Sequence, residues 1–133
     1  MDTHAVIDSD NPLLDHLGIR VVDWAPARCE LRLDIEPRHL NRQASLQGGV
    51  TATLLDAACG YAGLLTQPDA APGHAVTLML AIAYLSRADR GRLTAIGRVT
   101  GGGRGIYFAS AELTAADGRL VATAQGTFKR AAT

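Results

Sequence analysis

Cysteine is scarce in this chain. Its two cysteines, Cys29 and Cys59, have no CxxC partner, so neither a disulfide framework nor a thiolate zinc site is expected. Neither sign of charge is in excess. Lys+Arg and Asp+Glu each number 13, and a molecule without a net field does not gather polyanions such as nucleic acid or an acidic membrane surface. Long hydrophobic runs are missing too. The longest, Val50 to Leu65, spans 16 residues and carries Asp56, short of the ~20 needed to cross a bilayer. The opening segment has acidic residues where an export signal needs a basic start and an apolar run, so a cytoplasmic protein is expected. Metal spacing is absent among His4, His16, His39 and His74, and no G-x-S-x-G elbow surrounds any serine. Neither a metal nor a cofactor is expected, and serine-hydrolase chemistry is disfavoured.

What is present is a 47% hydrophobic chain of 133 residues, enough for one domain with its own core. Asn11-Pro12 followed by Leu13, Leu14 and Leu17 and closed by Gly18 predicts a short helix. Ile19–Trp24 and Cys29–Glu36 form a predicted hairpin around Ala25–Arg28. In the second strand Cys29, Leu31, Leu33 and Ile35 share one face, and the charged residues make the other a wet one. Gly48 to Leu65 is rich in Ala and Leu and apolar nearly all round, which predicts a helix buried on most sides. Four strand segments follow: Ala75–Leu85, Leu93–Thr100, Ile106–Thr114 and Leu120–Phe128, with Asp117-Gly118 as the turn between the last two. The first of these is apolar on both faces, as expected of a central strand. One long helix with five or six antiparallel strands predicts an α+β domain whose sheet curls around that helix.

Asp56 is the most informative residue. A carboxylate in an apolar helix costs several kcal/mol unless it is paired or used, so it is either a structural partner of a loop or arginine, or a general base or nucleophile. Gly48-Gly49 opens the same helix, where backbone N–H groups lack partners and the dipole is positive, so a carbonyl oxygen placed there would be polarised. The two features are eight residues apart, about 12 Å along the axis. By axial distance alone they do not reach one reacting atom.

The run from His39 through Asn41, Gln47, Gly48 and Gly49 to Asp56 resembles the signature H-x-N-x-x-G-x-x-H-G-G, followed by an aspartate-bearing helix, of the phenylacetate-degradation (PaaI-type) branch of hotdog-fold thioesterases. The resemblance continues through Tyr84-Leu85-Ser86 and ends in Ala124–Phe128. It implies a hotdog-fold acyl-CoA thioesterase acting as a homodimer or homotetramer. Asp56 would then activate or make the attack, the Gly48 N–H would polarise the carbonyl, Asn41 would help hold water or thioester, and Thr77 would come from the partner subunit. Two positions depart from the pattern: Gln47 replaces its histidine and Ala44 its glycine. Glutamine can still donate a hydrogen bond but cannot supply a proton near neutral pH. A hotdog protein that binds acyl-CoA or a hydrophobic carboxylate without turnover is therefore the alternative. A hotdog dehydratase is disfavoured, since the helix lacks the histidine it needs. Gly101–Gly105 lies between strands and lacks the Gly-Lys-Ser/Thr ending of a phosphate loop, so it reads as a hairpin turn, with Arg104 as a candidate contact for a CoA phosphate.

Overall fold

The structure, a computed structural model, describes residues 11–132; the acidic segment 1–10, with His4 and Ser9, and residue 133 lie outside the described residues. Helix α1 (Pro12–Leu17) starts at Asn11, whose side chain accepts the Leu14 N–H at 3.3 Å, and stops at Gly18, which takes the left-handed conformation at φ 80°. Strands β1 (Arg20–Ala25) and β2 (Arg28–Asp34) form the expected hairpin. A 3-10 turn at Pro37–His39 leads into a loop and then α2 (Gly48–Ala62). The remaining strands are β3 (Ala75–Tyr84), β4 (Arg92–Gly102), β5 (Ile106–Thr114) and β6 (Leu120–Arg130). All six form one antiparallel sheet in the order β1-β2-β4-β5-β6-β3, against which α2 packs. This is the expected α+β hotdog arrangement.

Leu54, Leu55, Ala58, Cys59 and Ala62 of α2 are fully buried against the sheet. The approach is close enough to require glycine on β4: a Cβ on Gly97 would stand 2.0 Å from the Ala58 carbonyl oxygen. The helix ends three residues before the expected Leu65: the Gly63 and Leu64 N–H groups turn to the Gly60 and Tyr61 carbonyls at 3.2 and 3.1 Å, and side chains also bond the carbonyls at this end. Tyr107 Oη donates to Gly60 O at 2.6 Å, Trp24 Nε1 to Tyr61 O at 2.7 Å and Arg130 Nε to Gly63 O at 2.9 Å. Sequence pattern alone does not reveal such partners.

Two other expectations are corrected. The wet side of β2 is not uniformly wet: Glu30 is buried because Arg28 and Arg32 each pair with it at 3.1 Å. Strand β3 is not central in the chain. Among the described residues it pairs with β6 alone and forms one edge of the sheet, leaving Val76, Leu78, Met79 and Tyr84 exposed. Its two apolar faces are real, but the chain itself covers only part of them. No helix among the described residues is long and apolar enough to cross a membrane.

Candidate active site

Asp56 is half-buried in the middle of α2, and its Oδ1 accepts a 2.7 Å hydrogen bond from Thr77 Oγ1 on β3 of the same chain. The expectation that Thr77 would come from a partner subunit is therefore corrected: one chain makes the pairing by itself. A bulge allows it. Thr77 pairs with Phe128 and Met79 with Thr127, so Leu78 is an extra residue on β3. With side chains alternating across a strand, that residue brings Thr77 and Tyr84, seven positions apart in sequence, onto the same helix-facing side.

Asp56 opens on a cavity of about 220 Å³, whose walls include Leu13 and Leu14 of α1, Ala57, Leu64 and Phe128. Those residues give the cavity an apolar side, Asn11, Thr53, Tyr61 and Thr77 give it a polar one, and Asp56 is the one acidic group among the described residues that line it. Below it, burial pushes the Cys59 thiol up to about 12, with the Asp56 carboxylate adding to the shift. Burial also pushes the Tyr107 phenol up to about 12, against the lowering effect of Arg130, whose guanidinium lies 4.3 Å from the ring centre. Neither group is an acid or base at neutral pH. Cys29 is raised by burial as well, so both cysteines behave as packing residues.

The other half of the expected machinery lies at the head of α2. The N–H groups of Gly48 and Gly49 have no hydrogen-bond partner among the described residues, while the Gly48 carbonyl accepts from Tyr84 Oη at 2.8 Å. Gly48 lines a different cavity from Asp56, one of about 380 Å³ that it shares with Ser45, Tyr84 and Arg87. Asn41 and Gln47 face a third, open depression with Arg42 and Gln43. Within one chain the expected residues are thus not assembled around one point.

Several residues of the signature have structural work. Asn41 Oδ1 accepts the N–H groups of Gln43 at 2.9 Å and Ser45 at 3.2 Å, holding the loop that leads into α2. Its amide nitrogen has no partner among the described residues. His39 is fully buried: its Nδ1 accepts the Glu36 N–H at 2.9 Å, and Nε2, the donating nitrogen by elimination, reaches the Leu17 carbonyl at 2.7 Å. It ties the end of α1 to the loop. Ala44, where the pattern has glycine, sits at φ 57°, a conformation that costs a residue with a Cβ roughly 1 kcal/mol. Gln47 makes no capping hydrogen bond with its side chain, which is exposed.

Arg104 is exposed on the turn between β4 and β5, and its guanidinium has no partner among the described residues. The turn itself is held by Arg130, which donates from Nη1 to Gly103 O at 2.6 Å and Arg104 O at 3.1 Å. Sequence pattern assigned Tyr84 no role in the site and did not show the Leu78 bulge. Tyr84 stood out only as part of the Tyr84-Leu85-Ser86 resemblance, because its hydroxyl partner is 36 residues away in sequence.

No cluster of His, Cys, Asp and Glu among the described residues could hold a metal ion. An aspartate oriented by a hydroxyl, a cavity with an apolar side next to it and a helix start with unpartnered amides are the parts needed for attack on a polarised carbonyl. The family model described as the thioesterase superfamily matches residues 44–122. Human acyl-coenzyme A thioesterase 13 is 34% identical over 111 residues, covering 82% of this chain and 77% of that protein. Among solved structures, zebrafish thioesterase superfamily member 2 superposes with a TM-score of 0.76 at 30% identity, covering 91% of this chain and 88% of that one. The PaaI protein from the phenylacetic acid degradation operon of E. coli shares the fold, with a TM-score of 0.84 at 22% identity over 92% of this chain and 86% of that one. The chain belongs to the thioesterase superfamily, hotdog-fold enzymes that hydrolyse thioesters.

Proposed function

We propose that this chain hydrolyses acyl-CoA thioesters to CoA and a carboxylate, with Asp56 as general base or nucleophile. The observation that carries the proposal is the Asp56–Thr77 pair, in the middle of a buried helix, facing a cavity whose apolar side is formed by Leu13, Leu14, Ala57, Leu64 and Phe128. An acyl group suits those walls, and the carboxylate at their edge meets the thioester carbon. Acyl-coenzyme A thioesterase 13, the relative named above, supports CoA as the carrier.

The amides that polarise the carbonyl would come from a second copy. Eight residues of helix separate Gly48 from Asp56, about 12 Å, so one copy does not present both to one thioester. Strand β3 offers the remedy. A symmetric antiparallel pairing of two β3 edges about a two-fold near Leu80 would set Thr77 opposite the partner's Tyr84. Because Thr77 holds Asp56 and Tyr84 holds Gly48, that pairing would bring Asp56 toward the partner's Gly48, and the second site follows by symmetry. Asn41 and Gln47, on the same loop as Gly48, would then reach the thioester or its attacking water. Arg104 would meet a CoA phosphate outside the cleft, a contact suited to its planar fork of donors.

Release of free CoA from a panel of acyl-CoAs tests the reaction. Wild type should turn over at least one, and Asp56→Asn should lower kcat by about 10² or more while still binding substrate. Should wild type bind acyl-CoA without hydrolysing any, with Gln47→His restoring turnover, the chain is a ligand-binding member of its superfamily.

A further inference from the structure

Tyr84 occupies a position that packing does not explain. It ends β3 with 58% of its surface exposed, yet its ring carbons lie 3.6 and 3.7 Å, and its hydroxyl 3.5 Å, from where a Cβ on Gly48 would stand. The hydroxyl donates to the Gly48 carbonyl at 2.8 Å. We propose that Tyr84 is a positioning residue for the carbonyl-polarising amides, orienting and strengthening the peptide between Gly48 and Gly49 from the edge strand. The catalytic part of this proposal rests on the acyl-CoA reading above.

The argument starts from peptide geometry. The Gly48 C=O and the Gly49 N–H belong to one planar unit and point in opposite directions, so a bond that anchors the oxygen aims the N–H. At a helix start the N–H side has no intrahelical partner, and here it falls on two consecutive glycines, whose backbone is the most free to turn away. No atom lies within 4 Å of a Cβ placed on Gly49, and the side-chain contact to that residue, Thr53 Oγ1 donating to its carbonyl at 2.8 Å, falls on the following peptide. The only side-chain restraint on the Gly48 peptide among the described residues is the Tyr84 hydroxyl. A second effect has the same sign: a hydrogen bond accepted by the carbonyl polarises the peptide and makes its own N–H a stronger donor. Both effects act on the Gly49 amide, which stands beside the Gly48 amide at the helix start and would face the thioester oxygen with it. Thr77 does the equivalent for the other half of the site, so one strand uses two hydroxyls to set the base and the amides.

Tyr84→Phe removes the hydroxyl and keeps the ring. The variant should lose about tenfold in kcat, less than the 10²–10³ expected on deleting a polarising donor, with KM within about threefold of wild type. Thermal midpoint and oligomeric state should stay as in wild type. In ¹⁵N-labelled protein without substrate, the Gly49 amide proton should move upfield and exchange faster with solvent. A KM increase alone would make Tyr84 a substrate contact and overturn the proposal, as would unchanged kcat or an unchanged Gly49 amide. Absence of turnover by wild type on every acyl-CoA would instead overturn the acyl-CoA reading. In that case the Gly49 amide still decides whether Tyr84 sets this peptide.

Discussion

At one edge of the sheet β1 presents Arg20 and Asp23, paired with Asp34 at 3.3 Å and Arg28 at 2.7 Å, on six residues interrupted by a bulge between Val21 and Asp23. At the other edge β3 runs for ten residues without a single charge, and Val76, Leu78, Met79 and Tyr84 stand exposed along it. A short, charged, bulged edge is what chains use to refuse a neighbouring strand, and a long apolar one invites it. The same molecule treats its two edges oppositely, and the inviting edge is the one that carries Thr77 and Tyr84. In the proposed enzyme, assembly and catalysis therefore meet on one strand.

The strongest way to break this contrast is to make β3 resemble β1. Val76→Lys combined with Ala81→Lys should yield a 14.0 kDa particle by light scattering, with CoA release lower by about 10² or more because the base and amides no longer meet. Far-ultraviolet circular dichroism should remain that of wild type. A smaller loss is expected on removing one hydroxyl from that edge: Thr77→Val should reduce kcat about tenfold, the value of one hydrogen bond to a charged group, without changing the particle mass. Steady-state kinetics paired with light scattering checks both. Arg104→Ala, on the turn between β4 and β5 and two to three strand spacings from β3, should raise KM about fivefold with kcat unchanged, since a phosphate contact is felt equally in ground and transition states. The least effect belongs to the guarded edge. Asp23→Ala removes a partly exposed ion pair and should change the unfolding free energy by less than about 1 kcal/mol in urea titration, with oligomeric state unaltered.

Local pattern was enough to place α2, the β1–β2 hairpin and the strands after the helix, because each has its own periodicity and turn residues. Asp56 was legible for the same reason, as one charge in an apolar helix. The place of β3 was not. An apolar strand reads alike whether its second neighbour lies in the same chain or in another molecule, and the pattern carries no record of which. Thr77 was found as a residue but assigned to the wrong chain, since alignment to a motif gives no account of which copy supplies a side chain. Asn41 read as a site residue and His39 only as part of the signature, and the pattern did not reveal that the Asn41 side-chain oxygen also holds the loop or that His39 ties it to the end of α1. Those contacts join residues through folded geometry, and the one-residue bulge at Leu78 that decides which way Thr77 points leaves no mark on composition or period.

Among the described residues the one ladder partner of β3 is β6, which enters the sheet about 45 residues later in the chain. During synthesis α2 and residues 75–84 emerge first, but the edge strand has nothing to pair with until Leu120–Arg130 has left the ribosome. We expect the Asp56–Thr77 and Gly48–Tyr84 bonds to form only at that last stage, with an apolar strand left unpaired until then. Ribosome-bound chains halted before Leu120 should accordingly be cut by protease within residues 75–84, and chains released at full length should resist at the same sites.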